Sequence, residues 1–328
     1  MKEKILKALK ENPDKFLSGE MLSKELGITR AAIWKHINSL KAEGYEIDSV
    51  SKKGYKLIDV PDLLTKDEIL PRLNTKYIGK TYVYYSKIDS TNKKAKELAT
   101  DGFEEGTIVI SEEQSLGRGR LGRVWYSPKG KGIWVSIILK PDIPTMMAPR
   151  ITLIGAAAVH SALEEFGIKS EIKWPNDIIL NNKKVCGILT EMSGEMEKLN
   201  YIVMGIGINV NTEENELENE LNKIATSLKI ECKKEICRKQ LLCSLLNHFE
   251  GFYDDFKEYG TLENVINICK KNSILIGKEV KIISYGKEVA AKVIDIEDDG
   301  ELIVKYDDGT VGKVLSGEVS VRGLYGYV

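Results

Sequence analysis

The residues best suited to do chemistry run from Gly117 to Trp125, GRGRLGRVW, with Gln114 just ahead and a β-like run, Ile133 to Leu139, just behind. Arg118, Arg120 and Arg123 are separated mostly by glycine, so three planar, permanently charged donor forks sit on a backbone that can approach a ligand closely. Such forks suit phosphate or carboxylate. The segment has no apolar stripe to pack on and is expected to be poorly ordered by itself. Either it closes over an anion or it is a solvated basic turn. Trp125 favours closure, because an amphipathic ring beside a basic loop is costly to leave exposed without use.

Other stretches carry candidate groups. Ser90, Thr91 and Asn92 lie between a strand, Tyr82 to Ser86, and a helix running to about Thr100, where hydroxyls either cap the helix or hold a polar ligand beside free N–H donors. In Lys173-Trp174-Pro175-Asn176-Asp177 the proline turns the chain. Asn176 and Asp177 can then face a site, Asp177 binding a metal ion or orienting a donor, or the stretch is an ordinary turn. A hairpin through Asn181-Asn182-Lys183 sets Lys184 at the start of the buried strand VCGIL, as a fixed cation for an anion or as a snorkelling side chain. GIGINV, Gly205 to Val210, lacks the third glycine and the following helix of a dinucleotide fingerprint, so its glycines are read as allowing close ligand contact. Gly79-Lys80-Thr81 ends like a phosphate loop, but Asn74 stands where that motif needs glycine.

The elements that must position these groups follow from periodicity. Thr107 to Ser111 and Gly132 to Lys140 are strands that the basic loop joins and that can pair antiparallel. A helix is predicted over about Met147 to Phe166, with Ile151, Ile154, Ala158 and Leu163 inward, and helices over Lys233 to Lys257 and Leu262 to Lys271 close the domain. Residues 211 to 223, acidic and Asn-rich with no firm period, are expected to form a second mobile loop.

Ahead of this region, Met21, Leu22 and Leu26 give one helix face, Gly27 ends it, and Thr29 caps a third helix with Ile33, Ile37 and Leu40 buried. That is a helix-turn-helix. The outer face carries Arg30, Ala31, Trp34, Lys35, Asn38 and Lys41, types that reach phosphates and base edges, and a two-stranded wing follows with Lys52 and Lys53 at its tip. A DNA reader is the preferred interpretation, a protein-binding module of the same shape the alternative. Val60 and Pro61 end the unit, and Thr65 to Glu68, TKDE, reads as a capping box opening the next helix. At the other end, five short β runs between Val280 and Arg322, split by YGKE, EDDGE and DDGT, suggest an SH3-like barrel. The boundaries are thus 1–62, 63–272 and 273–328, in a multidomain α+β chain whose central domain has a mixed sheet.

Composition bounds the rest. With 48 Lys/Arg against 49 Asp/Glu, total charge excludes nothing, while residues 1–60 hold 12 basic against 9 acidic groups, as a nucleic-acid module would. Five cysteines without a CxxC pair fit a reducing cytoplasm, the three scattered histidines lack ligand spacing, and the charged N-terminus reads as neither signal peptide nor membrane span.

Taken in order, Ser90-Thr91-Asn92, Gln114 with GRGRLGR, KWPND, Lys184 with GIL, and GIGINV resemble the catalytic domain of biotin protein ligases; with the winged unit in front, the whole chain resembles the bifunctional ligase and biotin operon repressor. The resemblance implies that biotin attacks the α-phosphate of ATP, with Mg²⁺, to give biotinyl-5′-AMP, and that a lysine of a biotin carboxyl carrier protein or domain then takes the biotinyl group. It implies biotin contacts from Ser90, Thr91, Asn92, Gln114 and the Gly117-Arg118-Gly119-Arg120 loop, with Lys184 and Gly187 beside the forming anhydride. Arg118, Arg120 and Lys184 would be the catalytic cations, Asp177 the metal ligand, and Arg120, Trp125, Asn176, Asn209 and Arg322 the nucleotide side. The adenylate would act as corepressor, favouring a homodimer on operator DNA. Some family members stack a tryptophan of the second loop on adenine, whereas this chain has no Phe, Tyr or Trp from Ile202 to His248, leaving aliphatic groups such as Leu221 or Ile224 to cover the base. A non-catalytic DNA-binding sensor and a lipoate-type ligase are the competing functions.

Overall fold

The computed structural model describes residues 1–195, 198–217, 221–284, 287–316 and 319–323; the side chains of Ser284, Val319, Ser320 and Arg322 lie outside the described set. The chain divides into two compact units, Met1–Leu63 and Leu64–Val328.

In the first unit, α1 (Lys2–Glu11), α2 (Gly19–Leu26) and α3 (Arg30–Ala42) are followed by β1 (Glu46–Val50) and β2 (Gly54–Asp59), which pair antiparallel. The Ser18 hydroxyl accepts from Met21 N and that of Thr29 from Ala32 N, so both helices of the turn are capped by side chains. Ile5, Leu9, Leu22, Ile33, Ile37 and Leu40 form the core; Met21, expected to be inward, is half-exposed instead because α2 is only eight residues long and buries just Leu22 completely. Leu17 exchanges both backbone hydrogen bonds with Tyr55 at 2.9 Å, and a Cβ on Gly54 would stand 2.1 Å from the Leu17 carbonyl oxygen, which explains glycine at the base of the wing turn.

The second unit opens with α4 (Lys66–Ile69), a single turn. The expected capping box is absent there: Thr65 makes no side-chain cap bond, and Glu68 turns inward, 3.6 Å from Arg72 and 3.7 Å from Lys239. Burial gives that carboxylate two cations, more than the helix end can offer. The strands β3 (Tyr82–Tyr85), β4 (Ile108–Ser111), β5 (Gly132–Leu139), β6 (Glu171–Lys173), β7 (Asp177–Leu180), β8 (Lys183–Gly194) and β9 (Leu199–Asn209) form one mixed sheet in the order β3-β4-β5-β9-β8-β7-β6. Only β3 and β4 run parallel, with α5 (Thr91–Thr100) between them; β4 and β5 pair antiparallel, as expected of strands joined by the basic loop.

Helix α6 (Ile151–Glu165) is buried on nearly every side, its Ile154, Ala158 and Leu163 within one core with α8 (Arg238–Tyr259) and α9 (Glu263–Lys271). A short helix, α7 (Leu228–Cys232), precedes α8, which begins five residues later than predicted. The last elements, β10 (Glu279–Ser284), β11 (Lys287–Ile296), β12 (Leu302–Tyr306), β13 (Val311–Val314) and β14 (Val319–Gly323), make a five-stranded antiparallel sheet ordered β13-β12-β11-β10-β14, and its Val280, Val293, Ile296 and Val304 share the main core.

One buried ion pair ties the sheet to α8. Glu112, at the end of β4, takes the Leu64 N–H at 2.7 Å and Arg238 at 2.8 Å, and Arg238 also donates to the Gly132 carbonyl at 3.0 Å. Both ends of the basic loop are thereby fixed to the first residue of this unit. Arg238→Ala would strand the Glu112 carboxylate and is expected to cost about 3–5 kcal/mol, read as an earlier urea midpoint for the second unit; an unchanged midpoint would contradict the pair's structural weight.

Candidate functional site

One cavity on the large sheet gathers most of the residues singled out from the sequence. Its polar end is built where α5 begins. The Gln114 side-chain Oε1 accepts from Thr91 N at 2.8 Å and from the Thr91 hydroxyl at 3.0 Å, while its Nε2 donates to Ser127 Oγ at 2.9 Å. Ser136 Oγ lies 2.8 Å from Thr91 Oγ1 and 2.6 Å from Asn92 Oδ1, and Asn92 Nδ2 donates to Glu191 Oε2 at 2.9 Å. Ser90 is the cap of α5, its Oγ 3.5 Å from Lys93 N. Asn92 thus lines the cavity with its amide already committed, packed so close to β9 that a Cβ on Gly205 would meet its Oδ1 at 2.0 Å.

The basic loop lies across the middle, and it is more ordered than its composition implied. Gly119 N donates to Arg123 O at 2.8 Å and Trp125 N to Gly117 O at 2.9 Å, closing a small hairpin around the turn Arg120–Gly122. The fastening is Trp125. Its indole lies over Gly187 and Gly207, which face each other across β8 and β9; a Cβ at Gly207 would stand 2.5 Å from the indole Nε1 and one at Gly187 3.0 Å from the ring. That buried Nε1 has no hydrogen-bond partner in the structure, a donor left for whatever enters the cavity. Arg118 is exposed at the rim, and Arg120 reaches down to donate to Asn176 Oδ1 at 3.1 Å.

The charged end comes from the hairpin of β7 and β8. Asn181 and Asn182 both have positive φ, 47° and 62°, as a tight two-residue turn requires, and this sets Lys184 across from Ile179 in β7. Lys184 Nζ is 2.5 Å from Asp177 Oδ1 and 5.1 Å from the centre of the Trp125 ring. Asn176 Nδ2 donates to the Ile188 carbonyl at 2.9 Å and Asn209 Nδ2 to the Thr226 carbonyl at 3.0 Å. Cys186, next to this pair in β8, is fully buried, and burial pushes its thiol up, away from reactivity.

Residues 211–223 are not a featureless loop among those described. Glu213 and Glu216 form a capping box around a short helical turn, Glu216 pairs with Lys131 at 3.1 Å, and Leu217, Leu221 and Ile224 form an aliphatic wall of the cavity. Gly117 lies under the loop, where a Cβ would stand 2.3 Å from the Trp125 carbonyl oxygen. Arg322 stands in β14 opposite Lys281, with its side chain outside the described residues. Sequence reasoning missed Ser127 and Ser136, because a lone serine carries no spacing signal, and gave no role to Lys173 of KWPND, which is buried and lines the cavity.

On the first unit, Arg30, Ala31, Trp34 and Lys35 are exposed on α3, as are Lys52 and Lys53 at the wing tip, while Asn38 is half-buried. Arg30 is paired with Glu20 of α2, and Lys41 donates to Ser49 at 2.9 Å.

Comparison with known proteins gives three matches along the chain: an HTH domain over residues 2–56, the biotin/lipoate A/B protein ligase family over 84–209, and the biotin protein ligase C-terminal domain over 275–322. Together these define a cofactor-ligase unit carrying a DNA-reading module in front. The chain is 38% identical to the bifunctional ligase/repressor BirA of Bacillus subtilis over 98% of both chains, and 32% identical to that of Escherichia coli over 94% of this chain and 93% of the other. A biotin protein ligase from Aquifex aeolicus, solved with biotin and ATP, superposes with a TM-score of 0.65 at 30% identity, covering 74% of this chain and 99% of that one. The chain belongs to the biotin protein ligase family.

Gly205 is the most sensitive point of the cavity floor. Gly205→Ala drives a methyl into Asn92 and should destabilise the second unit by about 1–3 kcal/mol, the usual range for overpacking, measured by urea denaturation; unchanged stability would mean that the Asn92 cluster is not close-packed.

Proposed function

We propose that this protein is a biotin protein ligase that is also a biotin-responsive repressor. The observation that carries the reading is the pinned basic loop, with a neutral hydroxyl and amide cluster at one end of its cavity and an ion pair at the other. A neutral, hydrogen-bonding ring system belongs at the first end and reacting anions at the second. In the first step a biotin carboxylate oxygen bonds to the α-phosphorus of ATP and pyrophosphate leaves, giving biotinyl-5′-AMP. In the second, a carrier lysine amine attacks the acyl carbon and AMP leaves.

Bringing a carboxylate to a triphosphate sets like charges together, and fixed cations must offset the repulsion. Arg118, Arg120 and Lys184 take that role, Lys184 giving up Asp177 as the anions arrive. Ser90, Thr91 and Gln114 hold the ureido ring, with Gly117, Gly119 and Gly187 allowing close approach and Asn92 positioning the helix start. Trp125, Asn176, Asn209 and Arg322 serve the nucleotide, and the Leu217, Leu221 and Ile224 wall covers adenine in place of an aromatic ring. Asp177 belongs to no cluster of three or more acidic, histidine or cysteine ligands among the described residues. That fits Mg²⁺ held mainly by phosphate oxygens, where the ion would neutralise the charge of the leaving pyrophosphate. Ligation is assigned to residues 63–272, operator DNA to 1–62 through Arg30, Ala31, Trp34, Lys35, Asn38, Lys52 and Lys53, and the C-terminal part to 273–328. The adenylate, by ordering the loops, favours a homodimer that aligns two recognition helices on two half-sites. Free cysteines fit a cytoplasmic location.

Biotin-dependent exchange of pyrophosphate into ATP tests the enzyme reading; exchange driven equally well by lipoate, or none, would defeat it. Arg118→Ala is expected to speed loss of the adenylate about tenfold or more, the worth of one charge-assisted contact, without altering DNA affinity of residues 1–62. Adenylate retained at the wild-type rate would remove Arg118 from the site. Deleting residues 1–62 should abolish operator binding while exchange persists.

A further inference from the structure

Beyond the part given to Arg322, the C-terminal region grips one segment of the cavity at two points. Strand β6, which leads into Trp174, is an edge strand of the large sheet. Its outer side is held by the chain that enters the C-terminal sheet: Ile172 N donates to Asn272 O at 2.8 Å, and Ile274 N donates to Ile172 O at 3.1 Å. One residue beyond β6, the buried Trp174 indole donates its Nε1–H to the carbonyl of Gly300 at 3.0 Å.

Gly300 lies in the turn between β11 and β12, and that turn has little freedom. Gly300 has φ +89°, and a Cβ there would stand 2.5 Å from Leu153 Cδ1 of α6. Gly300 N donates to Glu297 O at 2.8 Å, Glu297 N to Glu301 O at 2.7 Å, and Asp299 sits 3.6 Å from Arg150. The acceptor for Trp174 is therefore fixed by a closed turn wedged against a core helix. Trp174 in turn lines the cavity and, across Pro175, leads directly to Asn176, which receives Arg120, and to Asp177, which holds Lys184.

We infer that Trp174 and Gly300 are positioning residues: the C-terminal turn, itself outside the cavity lining, sets the segment carrying Asn176 and Asp177, and so the nucleotide end of the cavity. The inference rests on the ligase reading above for what that end binds. It separates the two ends of the cavity, since the Ser90, Thr91 and Gln114 cluster has its own supports in Ser127, Ser136 and Glu191.

The test uses the full chain. Trp174→Phe removes the donor and keeps most of the ring; Gly300→Ala pushes the turn off Leu153. Gly309→Ala is the control, because Gly309 has a similar φ of +86° in the next turn of the same sheet but nothing within 4 Å of an added Cβ. In biotin-dependent pyrophosphate exchange, Trp174→Phe and Gly300→Ala should raise KM for ATP about three- to tenfold, the effect of losing one hydrogen bond. Biotin affinity by calorimetry without nucleotide should stay unchanged, as should KM for ATP in Gly309→Ala. An unchanged KM in Trp174→Phe, a parallel loss of biotin affinity, or an equal effect from Gly309→Ala overturns the inference while the ligase reading stands. Absence of exchange in the unmutated protein brings down the ligase reading and this inference with it.

Discussion

Two glycines facing each other across neighbouring strands, Gly187 and Gly207, decide what the rest of the site can be. A Cβ at Gly207 would stand 2.5 Å from the Trp125 indole nitrogen, and one at Gly187 would crowd Lys184 at 2.8 Å and the ring at 3.0 Å. Trp125 is the one large apolar group by which a loop otherwise made of glycine, arginine and exposed aliphatic residues is held to the sheet. With the ring seated, Arg120 reaches Asn176 and Arg118 stays at the rim. Close packing at the floor thus fixes charge at the opening, a link from sheet register to electrostatics that no single motif states.

The charges themselves are held in reserve. Lys184 and Asp177 neutralise each other, Arg120 rests on an amide oxygen, and the polar cluster around Gln114 is hydrogen-bonded throughout. On the ligase reading proposed above, such a site would need little reorganisation, because the anions would replace partners already in place. The buried Glu112 and Arg238 pair holds the two ends of the same loop to the start of the second unit. Loop order and the attachment of the chain that leads back to the DNA-reading unit therefore share one set of bonds.

Much of this was legible in the sequence wherever the signal was a local pattern. The caps at Thr29 and Ser90, the hairpin around Asn181-Asn182, and the paired strands flanking the basic loop follow from turn chemistry and periodicity. The grouping of the motif residues in one cavity was anticipated by the resemblance and not by any local pattern. Patterns failed where tertiary partners took over. Glu68 had the spacing of a capping box, but two cations drew it inward. The basic loop and residues 211–223 looked structureless because their apolar contacts, Trp125 on glycine and Leu217 on the cavity, are made to distant strands. Ser136, Glu191 and the Trp174 to Gly300 bond depend on residues 44 to 126 positions apart, which no window of sequence can relate.

The central claim is that a cationic loop, fastened through Trp125, folds over an acyl phosphate and shields it from water. Hydrogen exchange at the backbone amides of residues 115–126 measures this directly, with the protein alone, with biotin, and with biotin and ATP together. The account predicts that these amides slow about tenfold or more only when both substrates are present and the adenylate has formed, as local opening is suppressed. Exchange at the same rate in all three states would show that the loop does not close on the intermediate.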